Sequence, residues 1–173
     1  MMVFISILVA FNLRSFPIFL QRRPGLNGKV FTLVKFKTMK DASHDHQNNE
    51  NNRLTKFGIF LRKFSLDELP ELFNILFGHM SFIGPRPLLE EYLEHYTPEQ
   101  HKRHNVKPGL TGLAQISGRN SLTWEERFKL DLEYVETISF KKDISIFLQT
   151  FKVAMKGDDI DHDGKIMKKF RSK

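Results

Sequence analysis

The chain has no cysteine, and among its 173 residues only one tryptophan and three tyrosines. Without cysteine there is no disulfide, no thiolate nucleophile and no cysteine-type zinc site, which suits a reducing compartment. Long apolar runs are missing too. The strongest, Met1–Phe11, is almost wholly apolar, but Asn12 and Arg14 end it well short of the ~20 residues that cross a bilayer. No basic segment precedes it and no small-residue cleavage site follows, so it does not read as a signal peptide. Neither an internal repeat nor a domain-splitting linker is visible, and the length suits one core.

What the chain does have is basic charge and phenylalanine. Lysine and arginine total 27 against 20 acidic residues, a net charge of +7. Such a surplus fits nucleic acid, anionic lipid or a phosphorylated substrate. Seventeen phenylalanines recur at helical spacing, which reads as core or as faces resting on lipid. The segment Met1–Arg14, followed by Arg22 and Arg23, reads either as a helix lying in one leaflet with its arginines at the headgroups or as a buried helix.

Patterning gives a coarse outline. Gln21–Lys29 is basic and turn-rich. Val30–Phe36 is β-branched and aromatic, a strand. Residues 41–52 carry a single apolar side chain, Ala42, and read as a surface loop able to close over substrate. Leu54–Lys63 is helical, and Leu69, Leu72, Phe73 and Leu76 predict another helix that stops at Gly78. A shorter one is expected around Glu90–Tyr96, and a structured loop at Lys107–Gly112. Thr123-Trp124-Glu125-Glu126 is a capping box for a helix to about Glu136. A last amphipathic helix, about Lys141–Met155, carries Ile144, Phe147, Leu148 and Phe151 on one face.

The chemistry concentrates in Ser65-Leu66-Asp67-Glu68-Leu69-Pro70 and, a helix later, Gly84-Pro85-Arg86-Pro87. Adjacent carboxylates with a guanidinium nearby suit phosphoryl chemistry: one carboxylate attacks or holds a metal while arginine holds phosphate oxygens. The plainer reading is a Ser65/Glu68 capping box at a helix start. Arg86 is restricted by its flanking prolines, although a surface turn would also carry such an arginine. Arg119, in Gly118-Arg119-Asn120, is another phosphate candidate. His44, His46, His101 and His104 read as solvated, for want of a third ligand. His79 is at most a substrate contact. Asp158–Gly164 lacks the spacing of a calcium loop and reads as an acidic turn.

Six blocks in order resemble the monotopic phosphoglycosyl transferases: Arg23–Lys29, Lys35–Met39, Leu66–Pro70, Met80–Pro87, Val106–Gly112 and Gly118–Asn120. The resemblance runs from about Gln21 to Ile160 and implies an α+β, mostly α fold. Its parts would be an N-terminal membrane-associated segment (1–20) and a small catalytic domain (21–173) with a short β element and interfacial helices. Family members carry a longer re-entrant helix with a Ser-Pro break, and Met1–Arg14 corresponds to its second half. Weaker, salt-sensitive membrane association is expected.

The resemblance further implies transfer of a sugar-1-phosphate from a UDP-sugar to polyprenol (undecaprenyl) phosphate, releasing UMP, at the cytoplasmic face of a bacterial inner membrane. Asp67 would be the nucleophile, and Glu68 a base or metal support. Mg²⁺ would bridge Asp67 and the diphosphate; Arg86 and Arg119, and more weakly Lys35 and Arg62, would bind phosphate. Membrane lipid and downstream glycosyltransferases would be partners, in exopolysaccharide, O-antigen, capsule or glycoprotein synthesis. The competing reading is a catalytically silent relative that binds nucleotide-sugar or a partner enzyme. A nucleic-acid-binding protein leaves the Asp-Glu pair and the Gly-Pro-Arg-Pro turn unexplained. A glycosidase is disfavoured because adjacent carboxylates rarely face each other across a sugar.

Overall fold

In the computed structural model, which describes residues 1–41, 53–118, 121–156 and 170, a short hairpin organises the first half. Strand β1 (Ile18–Pro24) pairs antiparallel with β2 (Val30–Phe36), in register from Ile18 opposite Phe36 to Pro24 opposite Val30. The tight turn between them puts Asn27 and Gly28 at positive φ, 55° and 72°, a conformation those two residue types tolerate best. Of the basic, turn-rich stretch Gln21–Lys29, the first four residues are therefore strand and the turn follows them. Its arginines, Arg22 and Arg23, are adjacent and so leave the strand on opposite faces, with no alternating pattern to mark it in the sequence.

Helix α1 (Met2–Leu13) lies over this hairpin and buries Ile5 and Val9 against Phe36 and Leu61. No helix among the described residues is long and apolar enough to cross a membrane. Helix α2 (Lys56–Lys63) is capped by Thr55, whose hydroxyl accepts from Gly58 N. It is pressed so closely on β2's exit that a Cβ at Gly58 would lie 2.0 Å from the Thr38 carbonyl oxygen.

Helix α3 (Glu71–Leu76) is shorter than its apolar spacing suggests. Residues Leu66–Glu68 form a separate 3-10 turn ahead of it. The face that α3 buries carries Glu71 and Asn74, while Phe73, Leu76 and Phe77 are exposed, Leu76 by 76%. Asn74 clasps the edge of β2 away from β1: its Oδ1 accepts from Val34 N at 3.1 Å and its Nδ2 donates to the Thr32 carbonyl at 2.7 Å. One side chain thus substitutes for a third strand and satisfies backbone groups that would otherwise be left open.

Strand β3 (Ser81–Ile83) pairs parallel with β4 (Gly109–Thr111), which falls inside the expected loop. Glycine allows the approach: a Cβ on Gly109 would lie 2.1 Å from Gly84 N. Between these strands come a 3-10 turn at Glu90–His95, in place of the expected helix, and helix α4 (Pro98–His101). Helices α5 (Leu113–Ser117), α6 (Trp124–Glu136) and α7 (Phe140–Lys156) follow. The Thr123–Glu126 capping box of α6 forms as the sequence indicates.

The core is a set of small clusters. Ile83, Tyr134 and Ile146 join β3 to α6 and α7, and Leu88, Tyr92, Tyr96, Phe128 and Phe170 form an aromatic nest. On α7 the expected apolar face is again outward, with Ile144, Phe147, Leu148 and Phe151 all exposed and Ile146 buried. The architecture is α+β and mostly helical.

Candidate active site

Side chains on β2 alternate, so Phe31, Leu33 and Lys35 point one way. Phe31 and Leu33 are core; Lys35, at the end of the row, meets carboxylates instead. Its Nζ lies 3.0 Å from Glu68 Oε1 and 2.9 Å from Glu71 Oε1. From the opposite side, Arg86 Nη2 donates to the same Glu68 oxygen at 2.5 Å. Glu68 is thus held between two cations on different elements.

The Ser65-x-x-Glu68 capping box does not form. Ser65 adopts a left-handed conformation (φ 52°) and its hydroxyl makes no capping bond. Glu68 is drawn to Lys35 and Arg86, because a charge-assisted pair outweighs a neutral N–H contact. Asp67 and Glu68 sit on the 3-10 turn rather than in the first turn of α3.

The adjacent carboxylates are left in opposite electrostatic states. Burial works to raise the Glu68 pKa, but the charges of and hydrogen bonds from Arg86 and Lys35 outweigh it and hold Glu68 well below the usual carboxylate range. Asp67 is raised, by burial first and the Glu68 charge second, against the pull of Lys35, Arg86 and Arg62. Among the described residues its carboxylate has neither a hydrogen bond nor an ion pair. Glu68 is the clamped acid and Asp67 the uncommitted one.

Arg62, on α2, is oriented by its Nε donating 3.0 Å to Thr38 Oγ1 and acts electrostatically on Asp67. Arg86 is itself held further above its already high pKa, chiefly by the Glu68 charge. Lys35, Arg62, Asp67, Glu68 and Arg86 therefore converge. Arg119, residues 42–52 with His44 and His46, and the acidic turn at 158–164 lie outside the described residues.

Two expectations about histidine differ from the structure or add nothing to the site. His104 is buried rather than solvated, and its pKa falls to about 4, by burial first and the neighbouring Arg103 charge second. His79 is exposed and stacks on Phe31 at 5.8 Å.

Sequence reasoning missed Glu71. It is 2% exposed, paired with Lys35, and its pKa is pushed up to about 7 by burial and then by Glu68. Its 2.9 Å contact with Lys35 is an ion pair without hydrogen-bond alignment, which leaves Oε1 unpartnered in that sense. The signal was available: Glu71 and Asn74, three apart, are the polar pair in an otherwise apolar helix.

No three or more His, Asp or Glu side chains among the described residues form a metal-binding group. Mg²⁺ asks for less, one or two carboxylates plus substrate phosphates and water. The uncommitted Asp67 carboxylate offers one such donor, so the residues fit that kind of site.

A small α+β domain that sets one free carboxylate among Lys35, Arg62 and Arg86 is equipped for chemistry on phosphate esters. The chain belongs to the bacterial sugar transferase family, whose model matches residues 1–157. It is 50% identical over 145 residues to the uncharacterized sugar transferase EpsL of Bacillus subtilis, covering 82% of this chain and 71% of that protein. It is 44% identical over 148 residues to a UDP-glucose:undecaprenyl-phosphate glucose-1-phosphate transferase of Klebsiella pneumoniae, covering 78% of this chain and 32% of the relative. An undecaprenyl-phosphate galactose phosphotransferase of Salmonella typhimurium is 37% identical over 156 residues, with 79% and 33% covered. The chain thus spans most of the first relative and about a third of the other two.

Proposed function

We propose that this chain transfers a sugar-1-phosphate from a UDP-sugar to polyprenol phosphate. The observation that carries the reading is the asymmetry of the acidic pair, Asp67 free beside a Glu68 clamped by Arg86 and Lys35. A nucleophile for a diphosphate must be uncommitted and within reach of positive charge. Asp67 is uncommitted, and Lys35, Arg86 and Arg62 act on it, although burial and the Glu68 charge outweigh them. The activities for which the Klebsiella and Salmonella relatives are named support this substrate class.

In the first step an Asp67 oxygen bonds to the β-phosphorus, the bridging P–O bond breaks, and UMP leaves with the electron pair. In the second, an oxygen of polyprenol phosphate bonds to that phosphorus and the aspartyl P–O bond breaks. The products are a polyprenyl diphosphate sugar and a regenerated Asp67 carboxylate. Arg86, Arg62 and Lys35 hold phosphate oxygens and offset charge at the reacting centre, and Arg119 joins them on the resemblance alone. Glu68 fits an orienting role better than that of a base, since a strongly depressed pKa makes it a weak proton acceptor. Mg²⁺, held by Asp67 and diphosphate oxygens, would supply further charge neutralisation.

The outward apolar side chains of α1, α3 and α7 support binding of residues 1–20 and these helices to the cytoplasmic face of an inner membrane, where the lipid acceptor resides. The product would pass to downstream glycosyltransferases. The test is UMP release in detergent with Mg²⁺, undecaprenyl phosphate and a panel of UDP-sugars. Release by the wild type and its loss in Asp67→Asn are expected. Equal release by Asp67→Asn would overturn the assignment of the nucleophile.

A further inference from the structure

Arg86 does not hold its place through Glu68 alone. Three successive carbonyls of its turn each accept a donor from a different part of the chain. The Pro85 carbonyl accepts from Gly109 N at 3.1 Å, that of Arg86 from Arg103 Nη2 at 2.8 Å, and that of Pro87 from Arg23 Nη1 at 3.2 Å. The middle donor differs from the others, for Arg103 is committed at the same time to a buried acid. Its Nε and Nη2 donate to Asp131 Oδ2 at 3.1 and 2.7 Å, with the two side chains 1% and 2% exposed. Tyr96 and Phe128 flank the guanidinium, their ring centroids 5.9 and 5.8 Å away.

A buried ion pair is a poor way to gain stability. The desolvation cost roughly cancels the attraction, and apolar groups of similar volume often do as well or better. What apolar groups cannot supply is a directed donor for the Arg86 carbonyl. Pro85 and Pro87 fix their own φ, yet the peptide plane between Arg86 and Pro87 can still rotate, and with it the direction in which the Arg86 side chain leaves the backbone. Holding that carbonyl fixes the exit.

We propose that Arg103, oriented by Asp131 of α6, is a positioning residue that aims the Arg86 guanidinium at Glu68 and the reacting phosphate. Neither Arg103 nor Asp131 touches substrate. The catalytic consequence rests on the function proposed above; the positioning of Arg86 does not, and the two can be separated. A displacement near 1 Å at a charge-stabilising group can cost ~100-fold in rate, so a fall in kcat of roughly 10- to 100-fold is expected when the aim is lost.

The experiment compares wild type with the double variant Arg103→Met/Asp131→Leu, which replaces the pair with apolar side chains. Three readouts are taken: the melting temperature, the kcat of UMP release, and the ¹⁵Nε–¹H signal of Arg86, identified by its disappearance in Arg86→Lys. The proposal expects a melting temperature held within a few degrees, the fall in kcat just stated, and a shifted or broadened Arg86 signal. It also expects the double variant to lower kcat less than twofold further in an Arg86→Lys background, because the pair acts through Arg86. Unchanged kcat with an unchanged Arg86 signal would overturn it, as would fully additive losses in the Arg86→Lys background. Should the double variant not fold, Asp131→Asn, which keeps the volume, is read by the same criteria. If the wild type releases no UMP with any substrate, the functional reading fails, and the Arg86 signal alone decides the positioning.

Discussion

Glu71 gives the sharpest test of the electrostatics beneath the site. Its carboxyl is pushed from the ordinary 4.5 up to about 7, by burial first and by the charge of Glu68 second, against Lys35 and Arg86. The folded protein therefore binds this proton more tightly than the unfolded chain does. Stability from that proton is fully present below pH 4.5 and is lost as pH rises through about 7. A shift of that size, at about 1.4 kcal/mol per unit, corresponds to an order of 3 kcal/mol at most. A glutamine side chain keeps the shape and does not titrate. The variant Glu71→Gln should therefore gain on the wild type between pH 5 and pH 8, by up to roughly 3 kcal/mol, or ~6–12 °C in melting temperature for a chain of this size. His104, with its lowered pKa, destabilises the fold as pH falls from 6.5 toward 4, but it is common to both proteins and cancels in the difference. Paired thermal melts across pH 5–8 measure the effect. A wild type that gains on Glu71→Gln as pH rises would refute the reasoning, by showing that the Lys35 ion pair outweighs burial.

Asn74→Ala removes both clasps on β2; at about 1–3 kcal/mol for each buried backbone group left unpaired, a loss of roughly 2–6 kcal/mol is expected. Lys35 is one residue beyond Val34, so the fraction of Asn74→Ala that stays folded at low temperature should also show reduced kcat; melts and UMP release on the same preparation check both, and unchanged kcat would mean that the clasp serves stability alone. Phe147→Ser/Phe151→Ser exchanges side chains that are already exposed, so the melting temperature in detergent should move by less than ~4 °C, while binding to anionic vesicles in a sedimentation assay weakens several-fold. Unaltered vesicle binding would remove α7 from the membrane-facing surface.

Much of the fold and part of the site are legible in the sequence. Thr123–Glu126 capping, the strand at Val30–Phe36 and helix α6 follow from local rules that tertiary structure has no reason to override. The convergence of Asp67, Glu68 and Arg86 is legible because the flanking prolines and adjacent acids are unusual together. What is not legible is pairing at a distance. Gln21–Lys29 reads as turn until β2 is beside it, and Gly109–Thr111 reads as loop until Gly84 gives it room. Arg103 and Asp131 are 28 residues apart and look like ordinary charges on helical faces, since nothing local announces that both are buried.

The apolar period identified helices correctly but not which face is inside. The usual inference takes the apolar stripe of a helix to be its buried face. On α3, Phe73 and Leu76 of the stripe are outside while Glu71 and Asn74 are inside; on α7, Ile144, Phe147, Leu148 and Phe151 are outside. A water-soluble exterior would make this arrangement costly, since exposed patches of this kind seek a partner. Beside Ile75, which packs on Phe31, Leu33 and Met80, the inner face of α3 carries Glu71 because it meets Lys35 at the end of β2, and a buried charge is tolerated only beside its counter-charge. The charged site and the apolar exterior thus have one origin. A short helix whose inner face holds Glu71 and Asn74 has room there for little more than Ile75, and Phe73 and Leu76 are left on its outer face. A lipid surface would satisfy such an outer face, and on the function proposed above it is also where the polyprenol phosphate acceptor would be met.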